Sequence, residues 1–258
     1  MLRLIKTELY KLKRYHILWA GVSLMLLSVL LTLFTSTAND GSVWDFTYLI
    51  EQVLKNNFSL IFPMTITLIA GYTIAREQTD DTLKNIVTIP VSYPTLIAAK
   101  LIVCGGCALL FGLASALFTI AAEGMIAFPG FSGTLALQAL VILPLHCLLL
   151  SFAVSPFIVF AARLPNGHLI GAILAFVYGY GGMFASGSMA LANLYPPTAT
   201  LGLIHYRSYD AAVHWNTPFC ALSLLAAVLL TVLLVATTKT PAWTKSAKKK
   251  KSTPKKGW

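Results

Sequence analysis

Long runs of apolar residues alternate with short polar segments along this chain. Six such runs lie at about 16–35, 57–75, 96–122, 135–162, 168–191 and 217–237. A helix rises about 1.5 Å per residue, so about 20 apolar residues cross the roughly 30 Å hydrocarbon core of a bilayer. The pattern therefore predicts an all-α integral membrane protein with six transmembrane helices in one domain, residues 1–237, followed by a tail, residues 238–258.

An amphipathic stretch precedes the first apolar run. Its apolar residues recur at helical spacing, and basic residues lie toward the other sides; the apolar set is Leu2, Ile5, Leu9 and Leu12. We predict a helix that lies along the inner face of the membrane. The first run is too long for a signal peptide, and no small-residue cleavage pattern follows Thr35, so we expect it to be retained.

The composition of the chain supports the membrane assignment. Hydrophobic residues make up 57% of the chain and charged residues only 11%, and the mean hydropathy is +0.76. So little polar surface would not cover the core of a soluble domain of this length. Six spans also leave no room for a separate soluble enzyme domain.

The basic residues fall almost entirely on one side of the predicted membrane. Of 19 Lys and Arg residues, all but Lys55 and Arg207 lie before the first span or after an even-numbered span. Because Lys and Arg are retained in the cytoplasm, we predict that both termini are cytoplasmic. The net charge of +10 thus indicates topology rather than nucleic-acid binding. The tail lysines, from Lys239 to Lys256, either lie against anionic headgroups or dock a partner.

The loop between spans two and three is unusually polar. Thr79 can cap a short helix that carries Asp80 and Asp81 in its first turn, and Pro90 ends that helix. One apolar stripe runs along it, formed by Leu83, Ile86 and Val87. This amphipathic helix either rests in the lipid interface or binds a soluble protein.

A few residues within the spans are candidates for chemistry or for packing. Cys104 and Cys107 have the spacing of a redox or metal pair, but the two glycines between them favour helix packing. His146 is interpreted as a hydrogen-bonded packing residue, and Glu123 is expected at the outer end of span three, within reach of water. The glycines of span five, starting with Gly167, predict a close-packing face.

The order of these features resembles the permeases of the ABC-2 group of ATP-binding-cassette transporters, particularly the small permeases of bacitracin resistance and lantibiotic self-immunity. The shared features are a basic start ending ELYKLKR, six spans, and a first cytoplasmic loop of the form E-x4-T-L-K-x5-P-V-S with a lysine at the head of span three. In this chain the loop pattern is carried by Glu77, Thr82, Leu83, Lys84, Pro90, Val91, Ser92 and Lys100. Asp81 stands where that family often has glycine, and Tyr93 stands where it often has arginine.

The resemblance implies that the polar loop is a coupling helix seated in a groove of a separate, soluble ABC ATPase. The implied contact residues are Glu77, Thr79, Asp80, Asp81, Thr82, Leu83, Lys84, Ile86, Val87 and Pro90. The chain contains no G-x-x-x-x-G-K-[ST] phosphate loop, so we expect ATP and Mg²⁺ in that partner and no cofactor bound directly here. A second permease chain, identical or related, would complete the transporter in a bacterial cytoplasmic membrane.

The resemblance also implies export of a membrane-active peptide antibiotic, with a lipid or another drug as the alternative cargo. The outer segment 192–216 is expected to form short helices that dip back into the outer leaflet. The candidate residues of a substrate pathway are Glu123, Tyr195 and Tyr206. A non-transporting scaffold subunit is a further alternative. An intramembrane enzyme is disfavoured, because the few polar residues in the spans form no catalytic set.

Overall fold

The computed structural model of the chain describes residues 1–14, 16–38, 43–79, 92–164, 167–207 and 213–238. Within these ranges the α-helices are Leu2–Arg14 (α1), Ile17–Ser36 (α2), Phe46–Asn56 (α3), Phe62–Thr79 (α4), Tyr93–Ile126 (α5), Gly133–Arg163 (α6), Gly167–Ala185 (α7), Met189–Leu194 (α8), Pro196–Leu203 (α9) and Thr217–Thr237 (α10). A π-helical turn, Asn57–Ile61, joins α3 to α4. The described residues form no β-strand.

Six helical segments in the described ranges are long and apolar enough to cross a membrane, which confirms the all-α, multi-pass architecture. They are α2, the continuous segment Phe46–Ile74, α5, α6, α7 and α10. The second segment begins at Phe46 rather than at residue 57, because α3 runs into the π-helical turn without a break. The fifth helix, α7, ends at Ala185 rather than at residue 191, because turns at 186–188 separate it from α8.

The amphipathic start of the chain is the helix α1, as predicted. Leu12 is buried and Ile5 packs against the core, whereas Leu2 and Leu9 are exposed. The four predicted apolar positions therefore divide between the protein interior and the outer surface. An exposed leucine pair beside basic residues is typical of a helix at a membrane surface.

The second span contains a π-helical turn that was not predicted from the sequence. The Phe62 N–H donates to the Asn57 carbonyl, five residues back. The next residue, Pro63, has no N–H to offer the Ser59 carbonyl, so the regular ladder is interrupted here. The turn packs closely on α7, since a Cβ added to Gly179 would stand 3.0 Å from the Ser59 carbonyl oxygen.

Small residues allow the long helices to approach one another. Helix α5 packs along α6, and α4 packs along α7. A Cβ added to Gly112 would lie 2.4 Å from the Cα of Pro144, and one added to Gly171 would lie 2.5 Å from the Cβ of Ala161. These contacts leave no space for a larger side chain, so the predicted close-packing role of the span-five glycines is confirmed for Gly171.

The outer segment folds into the short helices α8 and α9. Asn193 of α8 donates from its side-chain amide to the His214 carbonyl at 3.1 Å and accepts from the Asn216 N–H at 2.7 Å. Helix α9 packs against α6, α7 and α10, and its residues 197–202 are buried. The Trp215 indole donates to the Tyr206 carbonyl at 2.6 Å. The described part of this segment is therefore folded onto the spans, as expected from its apolar composition.

Candidate functional site

The helix ends that flank the predicted coupling loop meet in one buried cluster. This inner cluster consists of Ile74, Tyr93, Leu96, Ile97, Val159 and Ala162. Leu4 of α1 and Leu234 and Val235 of α10 pack against it. The Tyr93 hydroxyl also donates to the Ala162 carbonyl at 3.3 Å. A displacement of the loop would therefore pass into α4, α5 and α6 together.

The structure describes the two edges of the predicted contact loop. Helix α4 continues to Thr79 rather than ending at residue 75, so the backbones of Glu77 and Thr79 belong to α4. On the other side Ser92 caps α5 as predicted, because its hydroxyl accepts from the Thr95 N–H at 3.3 Å. The other predicted contact residues lie outside the described residues: Asp80, Asp81, Thr82, Leu83, Lys84, Ile86, Val87 and Pro90.

A buried ion cluster, formed by Glu8, Lys11 and Lys100, joins α1 to α5. The Lys100 ammonium lies 2.5 Å from one carboxylate oxygen of Glu8, and the Lys11 ammonium lies 2.6 Å from the other. Glu8 and Lys100 are each only 4% exposed. Since a helix rises about 1.5 Å per residue, Lys100 lies about 10 Å along α5 from its first residue, Tyr93. The cluster therefore fixes α1 to α5 shortly after the predicted loop ends.

The charges of the ion cluster are mutually stabilised. Burial alone would raise the pKa of the Glu8 carboxyl, but the charges and hydrogen bonds of Lys100 and Lys11 outweigh it and hold the pKa below its ordinary value of 4.5. Glu8 is therefore ionised at neutral pH. Removal of its charge would leave the buried Lys100 ammonium without this carboxylate, a costly arrangement in a medium of low dielectric constant.

A second polar contact joins the first three spans near the middle of the helices. Asn57 is fully buried, accepts from the Ser28 hydroxyl at 2.7 Å and donates to the Ser115 hydroxyl at 3.1 Å. One residue earlier, Asn56 donates to the Thr32 hydroxyl at 2.8 Å. An unsatisfied polar group would be costly in this apolar environment, so these hydrogen bonds hold the spans in register.

The three candidate pathway residues each make structural contacts. Glu123 is 7% exposed, not open to water as expected, and its carboxylate accepts from the Phe128 N–H at 3.0 Å. The Tyr195 hydroxyl donates to the Tyr178 carbonyl at 2.7 Å, and the two rings lie 5.0 Å apart. Tyr206 packs against the apolar core, and its burial raises the pKa of its hydroxyl. Their role in a substrate pathway stays a prediction.

The cysteines and the histidine of spans three and four lie in apolar surroundings. Cys104 and Cys107 are free thiols within the buried core, where they pack as small apolar side chains. His146 is fully buried, and neither ring nitrogen has a hydrogen-bond partner in the described part of the chain, so the expected hydrogen bond is absent there. Across the described ranges no group of three or more His, Cys, Asp or Glu residues could hold a metal ion.

The pairing of Glu8 with Lys100 was not predicted, because the two residues belong to separate motifs of the sequence. The signal was present, because an ammonium within an apolar span needs a counter-charge. Glu8 is the one carboxylate of the basic N-terminal segment, and was therefore an available partner. Asn57 carried a similar signal as an amide at the start of a long apolar run.

Comparison with protein families identifies a match over most of the chain. The family described as ABC-2 family transporter protein matches residues 4–182. The matched region starts in α1 and ends in α7, so it includes the ion cluster and the predicted coupling loop. No curated protein and no solved structure matches the chain.

Proposed function

Because the chain belongs to the ABC-2 family of transporter proteins, it is the membrane permease of an ABC transporter, and we propose that it exports a membrane-seated peptide antibiotic of the lantibiotic or bacitracin type. The family implies a separate ABC ATPase as partner and a lipid bilayer as surroundings. In this proposal the ATPase binds ATP and Mg²⁺, the permease binds no cofactor directly, and the membrane is the cytoplasmic membrane of a bacterium.

The anchoring of the loop edges supports a coupling role for residues 79–89. Helix α4 leads into the loop from the inner cluster, and α5 leaves it toward the ion cluster. A push on the loop would move the inner end of α5, and the Glu8–Lys100 contact at 2.5 Å would carry α1 with it. A helix that merely rests in lipid would not need flanks held by both buried apolar and buried ionic contacts.

The proposed mechanism uses two permease chains, identical or related, that enclose a route or a lateral cleft. Two ATPase subunits close when they bind ATP and push on the two loops. The spans then rearrange, and the peptide leaves from the outer half of the membrane. Leu83, Ile86 and Val87 form the packed centre of the ATPase contact, and the surrounding charged residues form its polar rim.

The outer surface supports a cargo that is taken from the membrane rather than captured in solution. The outer segment is folded onto α6, α7 and α10 by the contacts of α8 and α9. Within the described residues no extracellular domain stands apart from the spans. An amphipathic peptide already seated in the bilayer needs no such domain. A lipid or another drug would meet the same requirement, and the experiment below separates these cargoes.

The test is reconstitution of the full chain with its own ATPase in lipid vesicles. We expect ATP hydrolysis to rise when a membrane-active peptide is added. The double variant Leu83→Asp with Ile86→Asp should lose ATPase binding, because it places charge at the centre of the proposed contact. Asn85→Asp is the control for added charge, since it places one negative charge outside the apolar stripe, where the double variant places two within it.

The outcomes separate the two parts of the proposal. Unchanged ATPase affinity in the double variant would show that the loop assignment is wrong. Stimulation by added lipid or drug, without stimulation by peptide, would show that the cargo assignment is wrong. A chain that purifies without an ATPase from cells that express its neighbours would support the scaffold alternative.

A further inference from the structure

An apolar groove runs along α10, between it and α6, α7 and α9. Its volume is about 660 Å³. Its walls are almost wholly aliphatic or aromatic, and include Phe157, Phe160, Tyr178, Ala226, Leu230 and Leu234. Leu230 is 50% exposed, and Ala226 is exposed as well. Since α6, α7 and α10 cross the membrane, the groove opens to the hydrocarbon of the bilayer and not to water.

The dimensions of the groove suit one acyl chain. On α10 the lining runs from Leu222 to Leu234, which corresponds to about 18 Å at a helical rise of about 1.5 Å per residue. One leaflet contributes about 15 Å of a 30 Å hydrocarbon core. An acyl chain that enters from the inner membrane surface would therefore lie in the groove along the whole part of the groove that belongs to the inner leaflet.

A cation lies at the inner end of the groove. The Arg163 guanidinium donates from Nε to the Thr238 hydroxyl at 3.0 Å, and from Nη2 to the Thr237 hydroxyl at 2.7 Å and to the Leu234 carbonyl. Leu234 is also a lining residue of the groove. Both ion pairs found among the described residues belong to Glu8, so no described carboxylate pairs with Arg163.

The contacts of Arg163 explain part of its role. By bonding the last turn of α10 it caps that helix, and a cation there is favourable to the helix dipole. Among the described residues the cap leaves Nη1 without a hydrogen-bond partner and the positive charge without a carboxylate. A guanidinium is suited to bind phosphate, because its N–H groups match two oxygens at once.

We propose that this groove is a binding site for an anionic phospholipid of the inner leaflet, with one acyl chain along α10 and the headgroup phosphate at Arg163. Arg163 lies on the same side as the coupling loop, where anionic lipids and basic protein segments attract each other. The lipid is a resident ligand that fills the gap between α10 and its neighbours, and is not the exported cargo. The inference does not depend on the cargo or on the ATPase contact.

The test measures lipid selectivity of the full chain in phosphatidylcholine vesicles. Acyl-chain spin-labelled phosphatidylglycerol or phosphatidylcholine is added in trace amount, and electron paramagnetic resonance reports the immobilised fraction. A salt concentration of about 1 M shortens the Debye length to about 3 Å and suppresses attraction by the exposed tail lysines, whereas a partly buried contact is screened less. We expect the wild-type chain to prefer phosphatidylglycerol.

Two pairs of variants test whether Arg163 and the groove cause the preference for phosphatidylglycerol. Arg163→Gln should lower it about fivefold, the factor that one basic residue near the surface contributes, and Arg163→Lys should retain most of it. Lys55→Gln is the matched control, because Lys55 is an exposed basic residue of α3 that lies outside the groove lining. Ala226→Trp should abolish the preference by filling the groove while Arg163 is intact, whereas Ala221→Trp, on an exposed position of α10 outside the lining, should not.

Three results would overturn the proposal. Equal immobilisation of the two lipids by the wild-type chain would mean that only unselective boundary lipid is present. An equal preference in Arg163→Gln and Lys55→Gln would exclude Arg163 as the phosphate site. An unchanged preference in Ala226→Trp would exclude the groove as the site of the acyl chain, and this variant tests the proposal even if Arg163→Gln fails to fold.

Discussion

Neutralising Glu8 should release α1 from the rest of the protein. In Glu8→Gln the side chain keeps its shape but loses its charge, and the buried Lys100 ammonium loses a carboxylate at 2.5 Å. Lys11 is affected less, because its side chain is 31% exposed and can be hydrated. The cost is therefore set mainly by Lys100.

The expected magnitude follows from the burial of this pair. Removal of one partner of a buried ion pair costs about 3–5 kcal/mol, and the lower end, about 3 kcal/mol, suits a contact at the edge of the fold. Lys100→Met should cost only about 1 kcal/mol, because Glu8 retains Lys11. The double variant should also cost about 1 kcal/mol, since it leaves no buried ammonium. The two single costs should therefore not add.

Hydrogen exchange of the α1 amides in the full chain is the suitable assay, since it reports local opening. A loss of about 3 kcal/mol corresponds to exchange roughly 100-fold faster, and the α6 amides should be unchanged. Lys6→Gln is the control, because Lys6 lies exposed on the same helix. If the effects of Glu8→Gln and Lys100→Met simply add, the two side chains are not coupled and the reasoning is refuted.

Three further predictions concern packing, the polar contact between spans and pH. Gly112→Ala should lower thermal stability by about 1–3 kcal/mol, because its Cβ would lie 2.4 Å from the Pro144 Cα and 2.7 Å from the Leu143 carbonyl oxygen. Gly106→Ala, with no atom within 4 Å, is its control and should be neutral or stabilising. Asn57→Ala should lower the free energy of unfolding by about 2 kcal/mol in the same thermal unfolding experiment, because the Ser28 and Ser115 hydroxyls lose their buried partner. Equal melting temperatures of variant and wild type would contradict this prediction. The folded-state pKa of Glu8 is lowered below 4.5, so the stabilisation by Glu8 is complete above that pH and is lost as the pH falls through the folded pKa. The protection of the α1 amides, corrected for intrinsic exchange, should therefore be constant between about pH 6 and 8. A decline of protection in that range would point to another titrating group.

The spans could be predicted from sequence because hydrophobic length alone specifies them. The π-helical turn could not be predicted, since it combines a missing N–H at Pro63 with the close approach of the turn to Gly179 on another helix. The early end of α7 was missed for a related reason. Residues 186–191 contain no charged residue that would mark the end of the span, and their departure from the helix is stabilised by the contacts of α8 with α10.

The candidate site likewise contains some features that could be predicted from the sequence and others that could not. The amphipathic loop could be recognised because its stripe and its terminating proline are local features. For Glu8 and Lys100 the sequence indicated only that the Lys100 ammonium needs a counter-charge, because the two residues are 92 positions apart and their contact depends on the angle at which α1 packs on α5. Burial reversed the expectation for Glu123, whose carboxylate bonds the turn that follows α5 instead of facing water.

Helix α5 makes two buried polar contacts with helices on its N-terminal side in the chain. Lys100 ties it to α1, and Ser115, about 22 Å further along at the helical rise, ties it to Asn57. Buried polar contacts resist sliding, because each displaced group would stay unsatisfied in an apolar environment. By contrast, α7 meets α4 and α6 through glycines and carbon atoms of the neighbouring residues in the described ranges, and such surfaces can shift without breaking a hydrogen bond. A push at the inner end of α5 should therefore move α1, α2 and the second span as one body, and the relative motion that opens a route should occur against α7.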